Sequence, residues 1–358
     1  MSWQGIAGHD EIVDRMRRAL RKGRLASSFL FVGPEGVGKR TFAAAFAKAL
    51  LCSRRADELL DPCGECLSCR MMAADNHPDF DLVSKPADKS FLPLSLLIGE
   101  KDRRMHEGLA HRMTLKPSLA GRRIAVIDDA DSLNAEGANC LLKLLEEPPT
   151  GSLLILIGTS EDRQLPTTRS RCQTVRFRPL PAAELALLLV AQGLTDTRKT
   201  AERAARLSDG GLRSALEALD GEVLEFRDML RRRLAQVSSA NSELIDEVLR
   251  FVEAAGKDAT ARRERTRMVL TGAIDFYRGL LRTMQGVPTD AVPTEEKQFS
   301  DVSLRWREKE PAQRCSEKIG RLVDCCLDAL EHVDRNAHVS NVVGGWLDEL
   351  ATITAAAA

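Results

Sequence analysis

The stretch Gly33-Pro34-Glu35-Gly36-Val37-Gly38-Lys39-Arg40-Thr41 restricts this chain more than any other part of it. It follows an apolar run, Ser28 to Val32, and precedes an Ala-rich segment, Phe42 to Leu51, that reads as a helix. Strand, glycine-rich loop and helix in that order make a phosphate-binding loop. Glycines let successive peptide N–H groups turn inward toward an anion, and the helix N-terminus adds partial positive charge. Gly33, Gly36 and Gly38 supply the curl, and Lys39 reaches for the outer phosphates as a point charge. The next position should offer a hydroxyl to Mg²⁺, but it is Arg40, a cation with no lone pair for a metal. Thr41 is no simple substitute, because one helical step turns its side chain about 100° away. The loop keeps the means to hold a nucleotide, while its metal site is damaged.

A second element belongs with it. Arg123 to Ile127 is a buried-strand pattern that ends in Asp128-Asp129-Ala130-Asp131. An NTPase needs one carboxylate there for Mg²⁺ and a second to activate water. Asp128 suits the first role. Asp129 stands where a glutamate is usual, and one missing methylene shortens its reach by about 1.3–1.5 Å.

Cys52, Cys63, Cys66 and Cys69 form a C-x10-C-x2-C-x2-C array, with turn signals at Asp61-Pro62 and Gly64. Four thiols this close suit tetrahedral Zn²⁺, and a full set of four leaves no open position, so the expected site is structural. His77 is a rival ligand by residue type, but its distance from Cys69 and the following Pro78 favour a plain surface histidine.

The 358 residues allow two or three domains, and Lys+Arg and Asp+Glu total 52 each, so bulk charge does not advertise nucleic-acid binding. No apolar run reaches the roughly 18 residues of a membrane span, and the N-terminus lacks a signal-peptide pattern. A cytoplasmic protein is expected, and its nine cysteines are then not read as disulfides.

Helical spacing marks Asp10 to Lys22, and short strands are expected at Phe80 to Val83, Leu153 to Ile157 and Thr174 to Phe177. Helices are expected over Leu94 to Met113 and Asn134 to Glu147, the latter stopped by Pro148-Pro149. Apolar strands alternating with helices give an α/β fold with a five-stranded parallel sheet, ligands lying at the strand C-termini. Pro181 to Leu219 reads as helical with a break at Asp209-Gly210-Gly211, and the chain stays helical from Gly221, with a loop at Val287 to Pro293 and a frayed end at Ala355 to Ala358. The basic runs Arg231-Arg232-Arg233 and Arg262-Arg263 read as solvated helix faces.

Taken in order, these residues resemble the AAA+ clamp-loader family of bacterial DNA polymerase III over roughly the first 220 positions. The resemblance runs through Gly23-Arg24-Leu25, the loop ending Gly38-Lys39, the four-cysteine module with His77-Pro78-Asp79, Asn139 to Pro149, and Ser170-Arg171-Cys172. It implies an AAA+ domain over 1–178 with a zinc module at 52–69, a helical lid over 179–220 and a helical collar over 221–358. It also implies a nucleotide site, for ATP or ADP, made by the loop glycines, Lys39 and Asp128, with Thr159 at the sensor-1 place and Arg213 at sensor-2. Arg171 falls at the arginine finger that such proteins present to a neighbour's ATP. The implied partners are gamma/tau and delta subunits in a five-membered ring, and through them a sliding clamp and primed DNA. Arg40 and Asp129 depart from the family pattern and point to a member without ATPase activity of its own, acting within the polymerase holoenzyme. A hydrolysing motor of the gamma/tau kind is the alternative, and a zinc-dependent DNA-binding module is disfavoured by the neutral net charge.

Overall fold

The computed structural model describes residues 3–355, apart from 87, 88, 90, 105, 120, 209, 237–241, 257, 288–292 and 336. Two compact units divide it, Met1–Ala218 and Leu219–Ala358.

The first unit opens with α1 (Asp10–Arg21), whose buried stripe is Ile12, Val13, Met16 and Leu20. Gly23, at φ 61°, ends it by turning the chain into β1 (Ser28–Val32). Then follow α2 (Lys39–Leu50), α3 (Leu67–Ala73), β2 (Phe80–Val83), α4 (Leu94–Ile98), α5 (Gly108–Thr114), β3 (Arg123–Ile127) and α6 (Ala135–Glu146). β4 (Ser152–Gly158), α7 (Pro166–Arg169), β5 (Gln173–Arg176), α8 (Ala182–Ala191), α9 (Arg198–Leu207) and α10 (Leu212–Glu217) complete the unit.

The five strands form one sheet in the order β2-β3-β4-β1-β5, every pair parallel. β1, β3 and β4 are apolar on both faces, as a sheet covered on both sides requires. Alternation along β1 sorts them: Phe29 and Phe31 join one core layer with Phe42, Phe46 and Ile155, while Leu30 and Val32 join the other with Ile127, Leu141 and Leu156. Because the strands are parallel, the ends of β1, β3 and β4 open on the same edge. The five-stranded parallel sheet is the one expected from the sequence.

Three expectations about this unit need correction. The helix expected over Leu94 to Met113 is two short helices, α4 and α5, with a 3₁₀ turn at Lys101–Arg103 between them. Gly99 and Gly108 hold φ values of 86° and 83°, and a Cβ on Gly108 would come 2.4 Å from Gly99 N, so the segment folds back where a helix would run on. Between Pro181 and Leu219 there is a further break, where Gly193 (φ 67°) ends α8 and Thr197 caps α9 by accepting from Thr200 N. His77 is buried, not a surface residue: Nδ1 accepts from Asp79 N at 3.0 Å, a turn that Pro78 stiffens.

Near it lies a buried ion cluster. The Asp79 carboxylate is fully enclosed and accepts from Ser118 N, Leu119 N and Arg123 Nη2, which ties the segment before β3 to β2.

The second unit comprises α11 (Gly221–Leu234), α12 (Ser242–Glu253), α13 (Ala259–Met284), α14 (Pro293–Lys309), α15 (Ala312–Asp334) and α16 (Val339–Ala355). Buried faces of α12, α13 and α15 converge in one core, with Val248, Leu270, Leu280, Ile319 and Cys326 at its centre. Cys325 and Cys326 are both buried; Trp346 Nε1 donates to Cys326 Sγ at 3.2 Å. Arg231 departs from the solvated-face expectation, since it pairs with Glu295 with both side chains 13% exposed. The loop expected at Val287 to Pro293 lies mostly outside the described residues, as do Ala356 to Ala358.

Candidate functional site

β1 delivers the glycine loop to the edge of the sheet. Gly33 has φ 151°, and a Cβ there would lie 2.3 Å from Phe177 O, so only glycine lets β1 leave the sheet beside the chain that follows β5. Gly38, at φ 93°, starts α2. Lys39 opens that helix and is only 8% exposed. Its Nζ donates to Gly33 O (2.5 Å) and Pro34 O (2.6 Å). Burial lowers its pKa, against the opposing pull of Glu35, Asp131, Asp128 and Asp129.

Two further loop carbonyls are also occupied. Val37 O accepts from buried His9 Nε2 at 2.7 Å, and Gly36 O accepts from Leu212 N at 2.9 Å. His9 packs edge-on against Phe177, with ring centroids 4.8 Å apart. Sequence reasoning missed His9, because no spacing rule links it to a carbonyl 28 positions away.

The acids at the end of β3 divide their work. Asp128 Oδ2 faces Arg40 Nη1 at 3.3 Å. Asp129 adopts a left-handed φ of 57°, and partial desolvation, then the neighbouring Asp128 charge, raise its pKa. Asp131 binds across to the end of β4: Oδ2 accepts from Thr159 N (2.7 Å) and Thr159 Oγ1 (2.5 Å), and Oδ1 accepts from Gln164 Nε2 (2.5 Å). The Thr159 hydroxyl proton is therefore committed to Asp131, a partner that the sequence placed among the strand-end acids without a role. Arg213, on α10, closes the group from the other side, with Nη1 at 3.7 Å from Glu35 Oε2.

Arg171 stands apart from this cluster. Its Nη2 pairs with Glu146 Oε1 at 2.7 Å, and its Nη1 donates to Thr167 O at 2.9 Å. The side chain remains one-third exposed, 34%, and is held at the C-terminal end of α6.

The four expected cysteines come together. Their Sγ atoms all lie within 4.8 Å of one another, with Cys63–Cys69 and Cys52–Cys66 at 4.0 Å. Tetrahedral zinc with Zn–S bonds of about 2.3 Å sets sulfur–sulfur edges of about 3.8 Å, so a small contraction closes the site. Three peptide N–H groups already point at sulfur: Cys63 N at Cys52, Cys66 N at Cys63 and Cys69 N at Cys66. Burial opposes ionisation of Cys66, but the Cys69 N–H and contacts from Ser53 outweigh it and bring the thiol down to about 6. These four cysteines can bind a metal such as zinc.

The family described as "DNA polymerase III, delta subunit" matches residues 8–181, which span the whole sheet and the cysteine module. A DNA polymerase III subunit delta' from Pseudomonas aeruginosa is 33% identical over 222 residues, 62% of each chain. Over these residues the chain is similar to subunits of DNA polymerase III. A DNA polymerase III subunit tau from Bacillus subtilis is 28% identical over 239 residues, 64% of this chain and 40% of that one. Alignment with these clamp-loader relatives thus spans less than two-thirds of their length. Among solved structures, a gamma-subunit-related protein from Thermotoga maritima aligns over 96% of this chain and 99% of its own, at 15% identity and a TM-score of 0.41.

Against the clamp-loader expectations, the fold brings Gly33, Gly36, Gly38, Lys39, Asp128, Thr159 and Arg213 to one edge of the sheet, and Cys52, Cys63, Cys66 and Cys69 to one point. Arg171 has Glu146, Thr167 and Ser170 as polar partners, none of them in the phosphate loop. Among the described residues, no helix is long and apolar enough to cross a membrane.

Proposed function

We propose that this chain is the delta-prime type of clamp-loader subunit, a non-hydrolysing ring member that supplies Arg171 to ATP held by a neighbour. The observation that carries the reading is the Arg40–Asp128 pair. The carboxylate placed to hold Mg²⁺ is engaged by a guanidinium of its own chain, at 3.3 Å. Lys39 on the loop carbonyls and Thr159 on Asp131 point the same way, since both side chains already have partners within the chain. Hydrolysis here would require all three to be rearranged.

Arg171 keeps the opposite character. One-third exposed and tethered by an exchangeable surface ion pair, it is available to a second protein. A guanidinium supplied in trans neutralises charge on the transferring phosphoryl group, and in analogous systems that is worth about 10³–10⁵ in rate. In this reading residues 179–220 form the lid, 221–358 the collar that joins gamma/tau and delta subunits, and the cysteine module a structural zinc site. Loading of a sliding clamp onto primed DNA is the task of the assembled ring.

The test uses the assembled loader. Arg171→Ala should leave the chain folded and assembled while cutting ATP turnover on primed DNA at least tenfold; unchanged turnover rejects the role in trans. The hydrolysing reading, which the tau relative keeps in view, predicts instead that the isolated chain turns over ATP and that Lys39→Ala abolishes it.

A further inference from the structure

The three loop glycines are glycine for different reasons. Gly38 has φ 93° with nothing within 4 Å of where a Cβ would stand, so its backbone angle alone explains it. Gly36, at φ 73°, is crowded. A Cβ there would lie 2.9 Å from Arg213 N, 3.1 Å from Leu212 N and 3.2 Å from Arg213 Cβ. Two of those atoms are backbone and cannot swing away. The N-terminal turn of α10 therefore rests directly on the loop, and Leu212 N donates to Gly36 O at 2.9 Å.

The same docking recurs behind it. Gly210, at φ 85°, would place a Cβ 2.6 Å from Pro179 Cβ and 2.9 Å from Leu180 N, while Leu180 N donates to Gly210 O at 3.0 Å. A Cβ on Gly8 would meet Leu180 Cδ2 at 2.3 Å. Helix α10 is thus seated through glycine contacts at its own start and at Gly36.

We infer that Gly36 is a positioning residue for Arg213: the absence of a side chain at 36 and the carbonyl it offers to Leu212 fix α10, and with it the Arg213 guanidinium, over the phosphate loop. The glycine is set by the approach of α10 as well as by the curl around an anion. This goes beyond the proposed role in trans and holds whether or not Arg171 acts on a neighbour.

Leu212 allows the contact with Gly36 O to be broken without changing the phosphate loop. It is the first residue of α10, where proline is tolerated because that N–H has no partner within the helix. Gly211 before it is extended (φ −101°, ψ 145°), the conformation that a following proline favours. Leu212→Pro deletes the donor; Leu212→Ala shortens the side chain and keeps it. Hydrogen exchange on the full chain, read on peptides covering 211–219, should rise at least about fivefold in Leu212→Pro relative to Leu212→Ala, since one hydrogen bond is lost and the proline ring is set against the Gly36 carbonyl. Tryptic cleavage after Arg213 should accelerate in parallel. Equal exchange and cleavage in the two variants overturns the inference. Gly36→Asn supplies the second arm, because asparagine tolerates the left-handed backbone but not the contact with α10. It should loosen the same peptides, while Gly38→Asn leaves them as in wild type. If Gly36→Asn exchanges like wild type over 211–219, the positioning role is wrong; if it fails to fold, the Leu212 pair decides.

Discussion

Arg40 Nη1 and Asp128 Oδ2 meet at 3.3 Å although the two residues are 88 positions apart. The first turn of α2 and the end of β3 each contribute one partner. A cation with no lone pair thus faces the carboxylate to which the proposed reading gives Mg²⁺. Arg40 is half-exposed, so the pair adds at most about 1 kcal/mol to stability, and its consequence lies in the chemistry it excludes.

Removing the guanidinium should restore the metal site. Arg40→Ser frees Asp128 and introduces the hydroxyl that a phosphate loop offers to Mg²⁺. Titration with a fluorescent ATP analogue should show Mg²⁺-dependent affinity in Arg40→Ser, at least tenfold tighter than without metal. The wild-type chain should show no such dependence. A wild type that binds more tightly with Mg²⁺ would count against the blocked-metal reading.

The cysteine module should report through Trp3. Trp3 Nε1 donates to Leu60 O at 2.7 Å, and its ring lies 4.9 Å from that of Phe42 on α2. Leu60 sits in the loop between Cys52 and Cys63, so a metal that orders this loop also orders Trp3. Chelation, or Cys66→Ser, should release one equivalent of zinc and shift tryptophan emission to the red. Trp3→Phe should remove most of that shift, because Trp306 and Trp346 belong to the other compact unit. Elemental analysis that finds no metal in the purified chain defeats the assignment.

Acid should weaken the fold through His77. Burial holds its imidazole pKa below the ordinary value of 6.5, with Asp79 pulling the other way. A group whose folded pKa is depressed takes up protons preferentially in the unfolded chain. Its contribution is complete above about pH 6.5 and declines as pH falls below that. His77→Asn keeps an acceptor for Asp79 N without a titrating ring. Denaturant midpoints measured from pH 7.5 to 5 should fall more steeply for wild type than for the variant; parallel curves would exclude His77 as the cause.

In the helical unit Gly279 governs how closely α13 and α14 approach. A Cβ there would stand 2.5 Å from Phe299 Cζ and 2.6 Å from Cε2. Gly279→Ala adds helix propensity but overpacks the contact, and the net loss should be about 1–3 kcal/mol. Unfolding by urea measures it. The double variant with Phe299→Leu should recover part of that loss, since the two residues touch and their effects will not add.

Local chemistry made much of this protein readable from its sequence. A short apolar run between turn signals, too short for a helix, reads as a strand covered on both faces, so β1, β3 and β4 stood out. The glycine loop declared itself by its setting, and the four cysteines by spacings that a tight turn can gather around one ion. The departures at Arg40 and Asp129 were visible as residue types. Tertiary structure decided what those residues touch. Closure of the sheet set Arg40 on Asp128, Thr159 on Asp131 and His9 on Val37, and it placed Glu146 against Arg171 and Leu212 on Gly36. The same limit explains the misread helix at 94–113, where two glycines fold the segment back on itself, and His77, buried beside an enclosed carboxylate. Periodicity records which face of a segment is apolar, but a polar group's partner depends on how distant segments meet, and no local pattern encodes that meeting.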